Sequence, residues 1–262
     1  MSAEIVFEVR DRVGLIRLNR PEKLNAFTNP MLEDWLRVLD EAEAREDVRC
    51  IVITGTGRGF TTGGDVSTMG GGRDNSPRTT KDRIWETIQA VPKRLATMDT
   101  PTIAAVNGVA TGGGVDVALA CDIRVCAASA RFAETYARLG LIPGAGGAYF
   151  LPRTVGTARA LELLWTAEFI DAETAERIGL VNHVYPDESF LDDAMALAGR
   201  IAAAAPLSVR YIKRTVYRSL ATDMLTSFDL VSSHMTVVRS SEDHVEAVAA
   251  FREKRAPEFK GR

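Results

Sequence analysis

The sequence has few residues of the kinds that build disulfide scaffolds or metal centres. Its 262 residues include only three cysteines, Cys50, Cys121 and Cys126, an odd number without CxxC spacing. The three histidines are scattered through the last third of the chain. A disulfide-stapled fold and a zinc site are therefore disfavoured, and we expect no bound metal.

Long hydrophobic runs and an excess of one charge are also lacking. No segment approaches the ~20 apolar residues of a membrane span. The first ten residues, MSAEIVFEVR, alternate apolar with charged positions and contain no apolar stretch of signal-peptide length. With 32 Lys and Arg against 35 Asp and Glu, the net charge is −3, which gives no overall attraction to nucleic acid or anionic lipid. We expect a cytoplasmic protein that binds neither, and that holds any anionic ligand by a local basic cluster.

The residues that are present favour a globular α/β protein, since 46% are hydrophobic and 26% charged. Alternation and short apolar runs predict a hairpin across the turn Asp11-Arg12 and then three buried strands. The predicted strands are Ile5–Arg10, Val13–Leu18, 50–54, Thr102–Val106 and Ile123–Ala127.

Helical spacing of apolar residues separates these strands and then takes over the chain. Asn29 is predicted to cap the first helix, with Pro30 in its first turn. Residues 81–95 have helical spacing as well, although Pro92 makes the last turn uncertain. After the glycines at 112–114, the run VDVALA suits a closely packed helix. Further helices are predicted at Thr157–Thr166, 172–179, 189–205 and 208–220, with a late pair ending near Arg255. The pattern indicates a layered α/β fold with a helical C-terminal quarter.

Two glycine-rich turns each follow a predicted strand, GFTTGGDV at 59–66 and NGVATGGGVD at 107–116. Glycine lets the backbone approach a ligand closely, so N–H groups of both turns can converge on one developing negative oxygen. Tight turns and close helix–strand packing are the alternative explanation. A third patch, Gly70 to Gly72 followed by RDNSP, is predicted to be a mobile surface loop, either a gate over a pocket or an ordinary connection. The sequence contains no GxGxxG after its first strand, no GxxxxGK[ST] and no GxSxG, so nucleotide-binding and serine-hydrolase motifs are absent.

Five segments in order resemble the crotonase, or enoyl-CoA hydratase/isomerase, superfamily, and together they cover nearly the whole chain. They are NRPEKLNAF (19–27), FTTGGD (60–65), NGVATGGGVDVALACDIRVC (107–126), LGLIPGAGG (139–147) and AERIGLVNHVYP (175–186). The resemblance implies a spiral of ββα units that binds acyl-CoA over residues 1–195. It also implies a C-terminal helical region over 196–262 that supports a homotrimer or a hexamer formed as a dimer of trimers.

The resemblance also implies a catalytic apparatus. Two backbone amides, on Gly64 and Gly113, would hold the enolate-like thioester oxygen, and Asp116 stands at the first acidic position of the family as an acid/base. The second glutamate position of hydratases is Tyr136, and Glu134 lies two residues earlier. In an extended segment Glu134 would share the face of Tyr136, so either residue is a candidate to complete the site. The dienoyl-CoA isomerase branch has a similar GGGVD motif but carries an acid where Gly144 stands.

Coenzyme A would enter as part of the substrate, and no separate cofactor is implied. Its phosphates need local cations, for which Lys23 and, from a neighbouring subunit, Lys254 or Arg255 are candidates. The other positions implied to lie near the adenine and pantetheine are Asn25, Ala26, Thr62, Asp65 and Val66.

The leading hypothesis is a lyase that adds water to 2-enoyl-CoA thioesters. Three alternatives remain open: an isomerase that moves the double bond of an enoyl-CoA, another crotonase-type acyl-CoA reaction, or a catalytically silent acyl-CoA-binding protein.

Overall fold

A computed structural model describes residues 3–68 and 76–262. The ten strands within these residues are β1 Ile5–Arg10, β2 Val13–Leu18, β3 Cys50–Gly55, β4 Gly59–Thr61, β5 Thr102–Val106, β6 Val109–Thr111, β7 Ile123–Ala127, β8 Arg131–Ala133, β9 Ile170–Asp171 and β10 His183–Tyr185. The helices are α1 Asn29–Ala44, α2 Pro77–Arg83, α3 Ala90–Thr97, α4 Gly113–Ala120, α5 Gly147–Val155, α6 Thr157–Thr166, α7 Ala172–Arg177, α8 Phe190–Ala202, α9 Pro206–Ser219, α10 Met224–Arg239 and α11 Glu242–Glu253.

A six-stranded sheet with the order β1-β2-β3-β5-β7-β10 forms the centre of the molecule. β1 and β2 form the predicted hairpin, with Asp11 and Arg12 both at positive φ, the backbone that a two-residue turn between twisted strands needs. The remaining neighbours are parallel. One face packs on α8 through Ala194 and Ala198, and the other covers a core that contains Trp35 of α1 and Leu95 of α3. The short apolar strands are therefore buried on both faces, as parallel strands usually are.

A second sheet, with the order β4-β6-β8-β9, has strands of only two or three residues. β4, β6 and β8 are parallel to one another, so their carboxyl ends lie along one edge of this sheet. Each of the three comes from a successive ββα unit of the chain. The turns that follow them therefore meet, and they carry both glycine-rich motifs and the segment that begins at Glu134.

The structure corrects several details of the sequence prediction. Thr28, not Asn29, caps α1, because its side-chain oxygen accepts from the Met31 amide at 3.3 Å. The continuous helix predicted for 81–95 is broken by a π-helical turn at Ile84–Ile88. The segments predicted as 172–179 and 189–205 end earlier, at Arg177 and Ala202. The patch Gly70 to Gly72 lies outside the described residues.

The C-terminal helices α9 to α11 follow α8 as predicted. The division proposed at residue 195 falls inside α8, which packs on the large sheet, and the two-region description stays a prediction, as does the trimerising role of the last helices. No helix among residues 3–68 and 76–262 is long and apolar enough to span a membrane.

Candidate active site

The two glycine-rich turns contact each other at the edge of the small sheet. Gly63 has φ +81°, and a Cβ placed on it would lie 2.9 Å from the Gly113 amide nitrogen. A Cβ on Gly114 would lie 2.0 Å from the Thr61 carbonyl oxygen. Any side chain at either position would push the two turns apart, so glycine is required there for close approach.

The amides of Gly64 and Gly113 both border a cavity beside this contact. Gly64 is held by Phe27, whose amide donates to the Gly63 carbonyl at 2.9 Å and whose carbonyl accepts from the Asp65 amide at 3.1 Å. Gly113 is the first residue of α4, where backbone amides have no partner inside the helix. Within the described residues neither the Gly64 nor the Gly113 amide donates a hydrogen bond to another group. Both amides can therefore donate to an acceptor in the cavity, and the N-terminus of α4 adds its positive end at Gly113.

Asp116 lies in the first turn of α4 and has no solvent exposure. Its Oδ2 accepts two hydrogen bonds, from the Tyr136 hydroxyl at 2.6 Å and from the Ala145 amide at 3.0 Å. Burial raises the pKa of Asp116 to about 6, and the hydrogen bonds from Tyr136 and nearby amides limit that rise. Asp116 is therefore a stronger base than an ordinary aspartate.

Gly147 makes room for this carboxylate. A Cβ at position 147 would lie 2.1 Å from Oδ1 of Asp116. The second oxygen of Asp116 is thus packed against bare backbone at the start of α5. Gly147 belongs to the LGLIPGAGG motif, and the clash explains why that turn needs a glycine at this position.

Glu134 is 2% exposed and does not border the cavity. It borders a small apolar pocket formed by residues such as Phe132, Leu151 and Leu163, and its two carboxyl oxygens have no hydrogen-bond partner in the described part of the chain. Burial, and then the charge of Asp116, raise the pKa of Glu134 well above its ordinary value. Glu134 therefore holds its proton more strongly than an ordinary glutamate.

The sequence argument that Glu134 and Tyr136 share one face of an extended segment is wrong. Thr135–Leu139 is a 3-10 helix that begins directly after Glu134. Glu134 borders the apolar pocket, whereas Tyr136 borders the main cavity. Both residues nevertheless lie against Asp116. Burial and the neighbouring carboxylate raise the pKa of the Tyr136 phenol above its ordinary value, so its hydroxyl stays protonated.

The main cavity has a volume of about 480 Å³ and brings together most of the predicted positions. Eight of them line it: Lys23, Ala26, Thr62, Gly64, Asp65, Val66, Gly113 and Tyr136. Sequence reasoning did not assign the lining residues Ser67, Thr111, Gly112, Thr135, Arg138, Leu139 and Leu141 to the site. All seven lie within five residues of a predicted position along the chain, which is the signal that would have found them.

Two of the predicted residues are held by contacts within the fold. The Asp65 carboxylate binds Ser67 and Arg20, and the Ser67 hydrogen bonds hold the pKa of Asp65 below its usual range. Asn25 is completely buried, and its side-chain amide donates to the carbonyls of Thr56 at 3.0 Å and Gly59 at 2.8 Å. It stabilises the turn beneath the cavity without lining it.

Lys254 is exposed at the end of α11, at φ +54°, and does not border the cavity of its own chain. The neighbouring Arg255 forms ion pairs with Glu246 and Glu253. Contact of Lys254 with coenzyme A in another subunit stays a prediction. Within residues 3–68 and 76–262, no three His, Cys, Asp or Glu side chains cluster in a way that could hold a metal ion.

Comparison with known proteins connects this geometry to a family. The profile described as enoyl-CoA hydratase/isomerase matches residues 8–262. The chain is 36% identical over 261 residues to a short-chain-enoyl-CoA hydratase of Clostridium acetobutylicum, covering 98% of each protein. It is 34% identical over 266 residues to the 1,2-epoxyphenylacetyl-CoA isomerase of Escherichia coli, covering 100% of each. The crystal structure of an enoyl-CoA hydratase from Bacillus anthracis superposes with a TM-score of 0.94 at 32% identity, over 99% of this chain and 100% of that one. The chain belongs to the enoyl-CoA hydratase/isomerase family of the crotonase superfamily.

Proposed function

We propose that the protein isomerises an enoyl-CoA thioester, moving a double bond between the 3 and 2 positions of the acyl chain. The observation that supports this reaction is the number of available carboxylates. Among the described residues, two carboxylates stand at or next to the cavity: Asp65, which is bound to Arg20 and Ser67, and Asp116, which is joined to the cavity by Tyr136. An isomerase needs one acid/base to carry one proton, and Asp116 can fill that role.

The reaction begins when the thioester oxygen accepts hydrogen bonds from the amides of Gly64 and Gly113. The C2–H bond breaks and its proton passes to the Tyr136 oxygen, while the phenol proton moves to Oδ2 of Asp116. The electron pair of the broken bond spreads over C2, C4 and the thioester oxygen as a dienolate. The reverse relay delivers the proton to C4, which restores Tyr136 and the Asp116 carboxylate and leaves the 2-enoyl thioester.

The described geometry suits each part of this step. Tyr136 is neutral before and after transfer, in keeping with the raised pKa of its phenol. The pKa of Asp116, raised to about 6, is closer to neutral pH than that of an ordinary aspartate, and a general base is most efficient when its pKa lies near the operating pH. An oxyanion donor in other enzymes contributes about 2.7–4 kcal/mol to barrier lowering, so two amides can supply the largest part of catalysis.

Hydration of 2-enoyl-CoA is the second candidate, because a relative 36% identical over 98% of the chain is named a short-chain-enoyl-CoA hydratase. Addition of water in hydratases of the family uses two glutamates. Here the second position is Tyr136, and Glu134 borders the small apolar pocket instead of the cavity. A hydratase with this site would have to activate water with Asp116 and Tyr136 alone.

The binding of coenzyme A and the assembly belong to the same proposal. Lys23 and Arg138 both line the cavity, and their positive charges can bind the coenzyme A phosphates. A homotrimer or a hexamer is supported by exposed apolar side chains on the last helices, including Leu225, Phe228 and Phe251.

Isotope incorporation separates the candidates. A panel of 2-enoyl- and 3-enoyl-CoAs is incubated with the protein in deuterium oxide and, separately, in heavy-oxygen water, and the products are analysed by mass spectrometry. Conversion between enoyl isomers with deuterium in the chain and no gain of oxygen supports the isomerase. Heavy oxygen in the product would establish hydration instead, and coenzyme A binding without any conversion would favour a binding protein.

Two variants test the relay. Asp116→Asn removes the base and Tyr136→Phe removes the link to the cavity, and each is expected to lower the rate by at least about 100-fold. Asp192→Asn, an exposed aspartate on α8, is the matched control and keeps the wild-type rate. Isomerisation that survives both substitutions at the site would overturn the assignment of Asp116 and Tyr136.

A further inference from the structure

The peptide bond between Gly144 and Ala145, next to Asp116, is hydrogen-bonded through both its N–H and its carbonyl. The amide of Ala145 donates to Oδ2 of Asp116 at 3.0 Å. The carbonyl of the same peptide, on Gly144, accepts from the side-chain nitrogen of Gln89 at 3.0 Å. Gln89 thus lies in line with the carboxylate, separated from it by a single peptide plane.

The helix that carries Gln89 is distorted at this point. Ile84–Ile88 forms a π-helical turn in which the Gln89 amide donates to the Ile84 carbonyl, five residues back, at 2.9 Å. Pro92 explains the distortion, because it has no N–H for the Ile88 carbonyl and its ring would clash with that carbonyl in a regular helix. A π turn changes the direction of the side chains that follow it, and such turns are frequent at functional sites.

We propose that Gln89 is a positioning residue for Asp116, which fixes the Gly144–Ala145 peptide so that its N–H points at the carboxylate that carries the proton. This inference rests on the proposed role of Asp116 as the proton carrier. Gln89 touches neither the cavity nor the carboxylate, so it acts through the peptide.

Two physical effects follow from this arrangement. Holding the carbonyl fixes the plane of the peptide, and hence the direction of the Ala145 N–H. A donor on the carbonyl also polarises the peptide, which strengthens the hydrogen bond made by its N–H. Both effects favour the ionised form of Asp116, so loss of Gln89 is expected to make the carboxyl harder to deprotonate. The titratable groups that face Asp116 in the described part of the chain are Glu134 and Tyr136.

An experiment that does not depend on the reaction uses the fact that Gln89 is the only glutamine of the sequence. Protein labelled with ¹⁵N in the glutamine side-chain amide gives one NH₂ signal, which is followed by NMR from pH 5 to pH 8. If the peptide links the two residues, the wild-type signal moves through the ionisation of Asp116, and the movement disappears in Asp116→Asn. A signal that does not respond to the Asp116 substitution overturns the proposal.

A kinetic experiment tests whether the link affects turnover. Gln89→Met keeps the length of the side chain and removes the donor, and Glu86→Ala, an exposed residue of the same π turn, is the control. Gln89→Met is expected to lower kcat about tenfold with KM changed less than twofold. It should also move the acid limb of the rate profile to higher pH, whereas Glu86→Ala should match wild type.

The two experiments separate this inference from the proposed function. If Gln89→Met shows no more change in kcat and pH profile than Glu86→Ala, the positioning role is wrong, whatever the reaction is. If the NMR signal follows Asp116 and the kinetic effect is seen on hydration instead of isomerisation, the positioning role holds and the proposed function fails.

Discussion

Gly147→Ala is expected to lower the activity strongly although it removes no polar group. The Cβ of alanine would lie 2.1 Å from Oδ1 of Asp116, and Cβ atoms in proteins essentially never have neighbours closer than 3.0 Å. The carboxylate must therefore retreat by about 0.9 Å. Asp116 is completely buried, so this movement strains or breaks its hydrogen bonds to the Tyr136 hydroxyl and the Ala145 amide.

The size of the effect can be worked out from those contacts. A displacement of about 1 Å at a reacting group costs roughly 100-fold in rate, which corresponds to about 2.7 kcal/mol in the activation barrier at about 1.36 kcal/mol per tenfold. A weakened hydrogen bond to a charged group costs about 1.5–3 kcal/mol of folding free energy. We expect Gly147→Ala to lower kcat about 100-fold and the free energy of unfolding by about 2 kcal/mol.

The control is Gly199→Ala in the middle of α8, where a Cβ would meet no atom within 4 Å. Alanine at that position should raise the free energy of unfolding by up to about 1 kcal/mol with an unchanged rate. Both variants are assayed by conversion of enoyl-CoA in deuterium oxide and by urea unfolding at one fixed protein concentration. If Gly147→Ala kept more than half of the wild-type rate, the Asp116 carboxylate would not have to occupy the position described, and the reasoning would fail.

Three further predictions concern stability, measured by urea unfolding. Asn25→Ala removes hydrogen bonds to two backbone carbonyls, one of them on Gly59, and should lower the free energy of unfolding by about 2–3 kcal/mol. A loss below about 0.5 kcal/mol would mean that Asn25 does not stabilise this turn. Lys213→Met leaves Asp122 without the buried ammonium 2.8 Å away and should cost about 3 kcal/mol, whereas an equally stable variant would mean that the ion pair contributes nothing. The fold raises the pKa of Glu134, so the contribution of Glu134 to stability falls as pH rises above about 4.5. The free energy of unfolding of Glu134→Gln should therefore rise relative to wild type by about 1.4 kcal/mol per pH unit until the folded pKa is reached. A difference that does not grow with pH would refute the raised pKa of Glu134.

The sequence predicted the large sheet better than the small one because the strands of the large sheet are longer. Strands such as β3 and β5 are five- or six-residue apolar runs, and burial on both faces makes them visible in composition. β4, β6 and β8 have three residues each and contain Gly59 and Thr111, so they have no apolar period to detect. Their pairing comes from the winding of the chain around the first sheet, which no local pattern encodes.

Much of the candidate site was predictable because its parts are tied to short motifs. The glycines at 64 and 113 and the acid at 116 fall where backbone sterics and the family pattern place them. The side on which Glu134 lies depends on a 3-10 helix that starts one residue later, and this was not predictable from alternation. Gln89 gave no signal either, since its direction results from a π turn that Pro92 imposes from three residues away.

The location of the site follows from the parallel edge of the small sheet. Successive ββα units place β4, β6 and β8 side by side, so the turns that follow these three strands all lie at the same edge of the small sheet. The first turn brings the Gly64 amide, the second brings the Gly113 amide and, one helical turn later, Asp116, and the third brings Tyr136. A substitution that separates neighbouring units, such as Gly114→Ala with its Cβ 2.0 Å from the Thr61 carbonyl, should therefore disable the amide pair and the proton carrier together. If the proposed site is right, its activity should depend on the register between units as much as on any single side chain.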